Sequence, residues 1–160
     1  MAQINDLTLA HRLFVKAYRF RSYDWAPGAS LRTDIRQAKI ALITTAALHQ
    51  LGQPAFDEQL QGGDCSFREL PSDVDVQKLK IAHRSSAFDQ TGALQDRNLV
   101  FPLDRFRELV SRGLIGALNH RHFSFMGSIT APGKLIAETA PAVARLLVDD
   151  QVDGVFLVPA

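Results

Sequence analysis

Apolar residues in this chain follow two patterns, short continuous runs and a helical spacing of three and four. Short apolar runs are typical of strands buried on both faces of a parallel sheet, and the helical spacing is typical of amphipathic helices. The predicted strands cover 39–45, 79–83, 114–118 and 155–158. The predicted helices cover 10–18, 102–112 and 135–147, with a kink or restart at Pro141. This alternation predicts an α/β fold, a mostly parallel sheet with helices on both faces in a Rossmann-like three-layer arrangement.

The stretches between these elements are predicted as loops. They cover 23–30, 51–71 and 119–127, the first two rich in Gly and Pro. No repeat, low-complexity tract or linker divides the chain. We therefore predict a single domain over 1–160, in which 1–30 is a helical N-terminal extension and 31–160 is the core.

Composition and charge exclude several classes of protein. The 160 residues are 46% hydrophobic and 22% charged with a net charge of +1, which gives no electrostatic footprint for nucleic acid. No apolar run approaches the roughly 20 residues that span a bilayer, and the first residues do not resemble a signal peptide. The single cysteine, Cys65, excludes an internal disulfide and suits a reducing compartment. We predict a cytoplasmic protein that binds neither membrane nor nucleic acid.

The predicted strand at 155–158 is the most apolar, and the sequence stops two residues after it, at Ala160. A parallel strand of this kind needs cover on both faces, and open α/β sheets place their chemistry at the carboxyl ends of strands. Two interpretations stay open from the residues alone. Either the core is incomplete at this end, or the strand is an edge strand covered by a partner chain.

Two groups of residues could bear chemistry near strand ends or loops. Thr44 and Thr45 end the first predicted strand, where their hydroxyls could contact a ligand or cap a following helix. Cys65 lies in a glycine-containing loop and could be a nucleophile, but there is no second cysteine to resolve a disulfide. An incidental loop cysteine is the simpler interpretation.

The histidines raise the question of a metal site. His83, His120 and His122 could supply three ligands, but no carboxylate or cysteine completes a known spacing, and Arg121 next to two of them disfavours a cation. We predict no metal site. His122 and Ser124 could instead donate hydrogen bonds to a substrate carboxylate, or stabilise their own loop. The substrate-binding candidates are Thr44, Thr45, His83, His122 and Ser124.

Several segments, read in order, carry a family resemblance. The most specific are the string NLVFPLDR at 98–105 and the string HFSFMG at 122–127; the others lie at 39–45, 116–119, 140–144 and 153–159. Together they resemble the selenoprotein B family of the glycine/sarcosine/betaine reductases and D-proline reductase. The resemblance covers roughly residues 30–160.

The resemblance implies a position for the reactive centre. In that family the segment matching 155–160 is followed directly by a selenocysteine or cysteine, and by a second cysteine a few residues later. It implies that the redox residue directly follows Ala160, encoded for a selenocysteine by an in-frame UGA codon that is read as stop. It also implies that no residue of this chain is the catalytic nucleophile. Apart from that selenocysteine, no cofactor is expected from this chain.

The resemblance also implies an activity and partners. Family members are reductases with a disulfide as acceptor, which cleave a C–N bond next to a carbonyl; a selenolate attacks and a neighbouring thiol resolves the intermediate. The expected partners are other subunits of a reductase complex, a pyruvoyl-containing subunit among them, and a small amino-acid-like substrate. Two alternatives remain: a racemase-like domain, which normally needs two facing cysteines, and a non-catalytic ligand-binding or scaffold subunit.

Overall fold

The computed structural model describes residues 8–18, 24 and 28–160 of the chain. The chain divides into two compact units, Met1–Ser30 and Leu31–Ala160. The first contains helix α1, Leu9–Ala17, which confirms the predicted helix at 10–18. Most of the predicted loop at 23–30 lies outside the described residues. The single-domain organisation stays a prediction.

The second unit is built on a mixed, mostly parallel sheet of five strands. The strands along the chain are β1 (Lys39–Thr44), β2 (Leu48–His49), β3 (Phe67–Pro71), β4 (Lys80–Ile81), β5 (Ala117–Leu118), β6 (Arg121–Phe125) and β7 (Gly154–Val158). β1 is central, parallel to β7 on one side and to β5 and β6 on the other. β3 runs antiparallel to β6, and β2 and β4 form a separate antiparallel pair.

The helices of this unit follow the apolar spacing of the sequence. They are α2 (Thr91–Gln95), α3 (Leu103–Ser111) and α4 (Ala140–Asp149). A π-helical turn, Leu135–Thr139, leads into α4, and Pro141 lies in the first turn of that helix. The predicted restart at Pro141 is confirmed: proline lacks the N–H that a helix interior needs but fits the first turn.

Successive side chains of β1 point to opposite faces of the sheet, and each face has its own apolar core. Ile40 and Leu42 belong to the core that contains Leu103 of α3. Ala41 belongs to the core that contains Val143 and Leu147 of α4. The predicted α/β fold with a mostly parallel sheet is therefore confirmed, while the Rossmann-like three-layer detail stays a prediction.

Two loop predictions are wrong. The segment predicted as a loop at 119–127 contains β6, and the irregular segment at 51–71 runs into β3. His122 and Ser124 made the first segment look irregular, but both lie in the buried part of β6, residues 122–125, where they accept hydrogen bonds from backbone N–H groups. The strands predicted at 79–83 and 114–118 shorten to two residues each, 80–81 and 117–118.

Candidate functional site

Four segments meet at one edge of the sheet. Because β1, β6 and β7 are parallel, their carboxyl ends lie at the same edge, and Thr45, Gly127 and Ala160 follow them closely. His83, two residues after β4, joins this group. A Cβ on Gly127 would lie 2.6 Å from His83 Nε2, 2.8 Å from the Ala160 oxygen and 3.2 Å from the Thr45 oxygen. The absence of a side chain at Gly127 therefore allows the four segments to approach each other.

Thr45 holds the backbone of Ala160 at this edge. Its Oγ1 accepts a hydrogen bond from the Ala160 N–H at 2.9 Å and donates to the Ala160 oxygen at 3.3 Å. The Thr45 N–H also donates to the Val158 oxygen at 3.1 Å, which continues the pairing of β1 with β7. The position of Ala160 is thus fixed by side-chain and backbone bonds together.

His83 presents an unused hydrogen-bond donor at the same place. The residue is 5% exposed, and its Nδ1 accepts the Ser85 N–H at 3.1 Å, so that the neutral ring carries its proton on Nε2. That Nε2 is buried and has no hydrogen-bond partner within residues 8–18, 24 and 28–160. Burial lowers the pKa of His83 below its usual value, and the charge of Glu58 opposes this in part. A neutral imidazole with an unsatisfied N–H results.

A small cleft opens beside His83. It has a volume of about 290 Å³ and is lined in part by His83, Ser85, Phe88, Asp89, Ser128 and Ala160, which define the carboxyl-edge cleft. The volume lies at the small end of the roughly 300–1,000 Å³ range of ligand pockets. The Phe88 ring packs edge-on against His83, with centroids 4.8 Å apart. The cleft therefore combines an aromatic ring, a carboxylate and an imidazole.

Two predicted substrate-binding residues lie beneath the edge, both with 0% exposure. Thr44 Oγ1 donates to the Val100 oxygen at 2.7 Å and accepts the Ala46 N–H at 3.1 Å. Ser124 Oγ accepts the Leu48 N–H at 2.7 Å. These bonds tie the strand ends to neighbouring segments and occupy the polar atoms that a ligand would need.

His122 is likewise inside the sheet, with 0% exposure. Its Nδ1 accepts the Leu42 N–H at 3.1 Å, and its ring packs edge-on against Phe101. Burial, with smaller contributions from the charges of Arg107 and His120, lowers the pKa of His122 to about 4. The structure thus brings Thr45 and His83 together at this edge of the sheet, where His83 lines the cleft, and leaves the other three candidates below the edge.

The sequence also raised the questions of whether Cys65 is a nucleophile and whether the chain binds a metal ion. Cys65 is buried, with its Sγ 3.8 Å from the Gly63 oxygen and 3.9 Å from the Ala131 oxygen. In the described part of the chain, no three or more His, Cys, Asp or Glu side chains are grouped so that they could hold a metal ion. Nor does any helix in this part have the length and apolarity to cross a membrane.

Comparison with known proteins identifies the family. Residues 7–160 match the sequence model of the family described as Glycine/sarcosine/betaine reductase selenoprotein B. The chain belongs to this family. The resemblance seen in the sequence strings is therefore confirmed. No solved structure was found to match the chain.

Relatives of this selenoprotein B family chain are named as subunits of reductases. This chain is 32% identical over 133 residues to the D-proline reductase subunit gamma of Acetoanaerobium sticklandii, and the match covers 83% of the chain and 52% of the relative. The chain is also 29% identical over 150 residues to the glycine reductase complex component B subunit gamma of Symbiobacterium thermophilum, and this match covers 90% of the chain and 33% of the relative. The sarcosine reductase complex component B subunit beta of Peptoclostridium acidaminophilum is 23% identical over 144 residues. The chain thus spans between a third and about half of the length of these relatives.

Sequence reasoning missed several residues of the carboxyl edge and its cleft. Gly127 was visible only as the end of the string HFSFMG, although a glycine directly after a buried strand is a signal for close backbone approach. Phe88 and Asp89 follow His83 by five and six residues, in a segment without apolar periodicity, so that no sequence pattern marks them as cleft residues.

Proposed function

We propose that this chain is part of a reductase-type subunit that cleaves the C–N bond next to the carbonyl of a small amino-acid-like substrate. Membership of the selenoprotein B family is the observation that carries the proposal, and the reductase names of the relatives support it. The overall conversion replaces a C–N bond by a C–H and an N–H bond. It consumes two electrons and two protons, and a dithiol donor of the complex supplies the electrons as it becomes a disulfide.

The redox centre of this proposal is a selenocysteine or cysteine directly after Ala160. A selenolate or thiolate there would supply the nucleophile. The residues at the carboxyl edge fit such a group: Thr45 fixes the Ala160 backbone, Gly127 leaves room for close approach, and the buried His83 Nε2–H has no partner among the described residues. An N–H donor beside a selenolate or thiolate favours its ionised form.

The chain's own residues have distinct tasks in this proposal. Thr45 and His83 are proposed to act at the substrate side of the edge, and Thr44, His122 and Ser124 to hold the strands that carry it. Other subunits of the complex, a pyruvoyl-containing one among them for a proline-type substrate, are proposed as partners. A cytoplasmic location stays a prediction.

The test is turnover by the native complex, purified with its partner subunits. Glycine, sarcosine, betaine and D-proline are supplied separately with a dithiol, and the amine released, or for D-proline the ring-opened amino acid, is quantified. We expect one of the four to be converted in proportion to dithiol consumed. Conversion that needs no reductant, or an intact complex that converts none of the four, would contradict the proposal and favour the non-catalytic alternative.

A further inference from the structure

Strand β7 is an edge strand with exposed apolar side chains. It pairs with β1 along one side, and in the described part of the chain no strand pairs with its other side. Val155, Phe156 and Leu157 are between 40% and 66% exposed, although Ala41 and Leu42, in register with the first two, are wholly buried. Since successive residues of a strand point to opposite faces, β7 exposes apolar groups on both faces of the sheet.

The backbone of β7 also offers hydrogen bonds on its free side. The Thr45 N–H donates to the Val158 oxygen, so Val158 turns its backbone polar groups toward β1. Because these groups alternate in direction along a strand of a parallel ladder, those of Val155 and Leu157 point away from β1. Natural edge strands are commonly protected by charged side chains or proline, and residues 154–158 contain neither. This edge is therefore suited to pairing with a further strand.

The relatives are long enough to supply that strand. The chain spans 52% of the D-proline reductase subunit gamma and 33% of the glycine reductase component B subunit gamma, and the family match extends to residue 160. A connection between two parallel strands takes about a dozen residues or more and is usually a helix. The part of the D-proline reductase subunit outside the match is several times longer than such a connection.

The contacts of Ala160 indicate how a continuing polypeptide leaves β7. Thr45 Oγ1 bonds to both the N–H and the oxygen of Ala160, at 2.9 and 3.3 Å, so the chain after Val158 turns toward β1 and away from the free side of β7. A tight hairpin onto the free side would need the opposite turn. A crossover that returns to the amino end of the sheet and then adds a parallel strand fits this exit.

We propose that the polypeptide following Ala160 forms a crossover and then a strand that pairs in parallel with the free side of β7. The inference rests on the proposed function, which places a redox residue directly after Ala160, and deepens it by placing that residue at the start of the crossover. Parallel connections are right-handed in nearly all cases, so a crossover that continues the direction of β6, α4 and β7 lies on the face of α4. That face carries Val155 and Leu157, which are in register with Ala41 and Ile43 of the same core.

Hydrogen exchange of the full-length native protein tests the pairing. We expect the amides of Val155 and Leu157 to exchange at least about a hundredfold more slowly than in an unfolded chain, as those of Phe156 and Val158 do on the side of β1. Fast exchange at Val155 and Leu157 beside slow exchange at Phe156 and Val158 would overturn the inference.

A photo-crosslinker identifies the segment that covers β7. Leu157→p-benzoylphenylalanine in the full-length protein places a reactive group at the most exposed apolar position of the strand. We expect an intramolecular crosslink that maps by mass spectrometry to residues after Ala160 and does not change on dilution. Leu51→p-benzoylphenylalanine, at an exposed position in the loop after β2, is the control and should give no crosslink to those residues. No crosslink from position 157, or one to a second copy or another subunit, would overturn the inference.

The results separate this inference from the proposed function. Because neither measurement needs turnover, cover of β7 by residues after Ala160 would stand even if no selenocysteine or cysteine were present there. An open β7 edge in a protein that carries the redox residue would remove this inference and leave the proposed function standing. A native gene product that ends at Ala160 would contradict both.

Discussion

At the scale of single residues, the polar groups of the sheet divide into those that hold the framework and those that remain free. Thr44 donates to the Val100 oxygen, and His122 and Ser124 accept backbone N–H groups of other segments. The Nε2 atoms of His83 and His122 are both buried and have no partner among the described residues. The sequence suggested all four as ligand contacts, because polar side chains after apolar runs are typical of strand ends. It could not reveal which hydrogen bonds the neighbouring segments already use, since those partners lie far away along the chain.

The framework role of Ser124 predicts a loss of stability without a loss of ligand affinity. Ser124→Ala leaves the buried Leu48 N–H without its acceptor, and we expect the free energy of unfolding to fall by about 1–3 kcal/mol. Urea unfolding measures this, and calorimetry with glycine, sarcosine, betaine and D-proline measures any ligand affinity of the folded protein. Ser111→Ala, at the exposed end of α3, should cost less than about 0.5 kcal/mol. An intact stability with a lost ligand affinity in Ser124→Ala would assign Ser124 to the ligand instead.

His122 predicts how stability depends on pH. Its pKa is about 4 in the folded protein and about 6.5 in the unfolded chain, so the unfolded chain takes up the proton first as the pH falls. The contribution of the neutral His122 to the free energy of unfolding is complete above pH 6.5 and is lost progressively as the pH falls to about 4. The total loss is on the order of 3 kcal/mol. His122→Asn keeps an acceptor for the Leu42 N–H and should flatten the stability curve between these pH values. A curve as steep as that of the wild type would contradict this assignment.

Gly127 predicts a steric requirement at the edge. In Gly127→Ala the added Cβ would lie 2.6 Å from His83 Nε2 and 2.8 Å from the Ala160 oxygen, so these groups must move apart. We expect a loss of about 1–3 kcal/mol in the free energy of unfolding. Gly133→Ala is the matched control, because nothing lies within 4 Å of its added Cβ. Equal stability of the two variants would show that the edge is more open than the structure indicates.

At the scale of elements, the sequence predicted best where apolar residues form a continuous run or a regular helical spacing. Strand β1, helix α3, helix α4 and strand β7 are all at their predicted places. β6 was missed because it alternates aromatic with polar residues that the interior satisfies by hydrogen bonds, and β3 because its five residues include two charges and a proline. Both are recognised only by their pairing with each other, which local pattern does not encode.

One ion pair connects the end of α4 to the start of β6. Asp150 accepts two hydrogen bonds from Arg121, at 2.7 and 2.8 Å, and its side chain is 8% exposed. Arg121 lowers the pKa of Asp150 to about 2. The stabilisation is therefore present above the unfolded pKa of about 3.9 and is lost as the pH falls toward 2.

Breaking this pair should loosen the packing of α4 on the sheet. We expect Asp150→Asn to lower the free energy of unfolding by about 2 kcal/mol at neutral pH, because Arg121 loses a charged bidentate partner. Asp149→Asn, exposed on the same helix end, should be nearly neutral. Chemical unfolding at pH 7 and pH 3 measures both. A loss of stability in Asp150→Asn that persists undiminished at the lowest pH would contradict the ionic explanation.

At the scale of the whole molecule, the sequence predicted the α/β class and the family, but not the cleft. Class and family follow from apolar runs and two specific strings, which are local features. The carboxyl edge beside the cleft needs Thr45, His83, Gly127 and Ala160 in one place, and they come from segments far apart along the chain. Tertiary proximity of this kind is set by strand order, which the apolar pattern alone leaves open.

We propose that this chain carries the substrate side of a reductase whose redox residue directly follows Ala160. This proposal is tested most directly by reading the coding sequence past the Ala160 codon together with the mass and selenium content of the native gene product. We predict an in-frame UGA or cysteine codon at the next position and a product that contains selenium or a redox-active thiol there. A UAA or UAG codon, or a native product that continues without selenocysteine or cysteine, would contradict it.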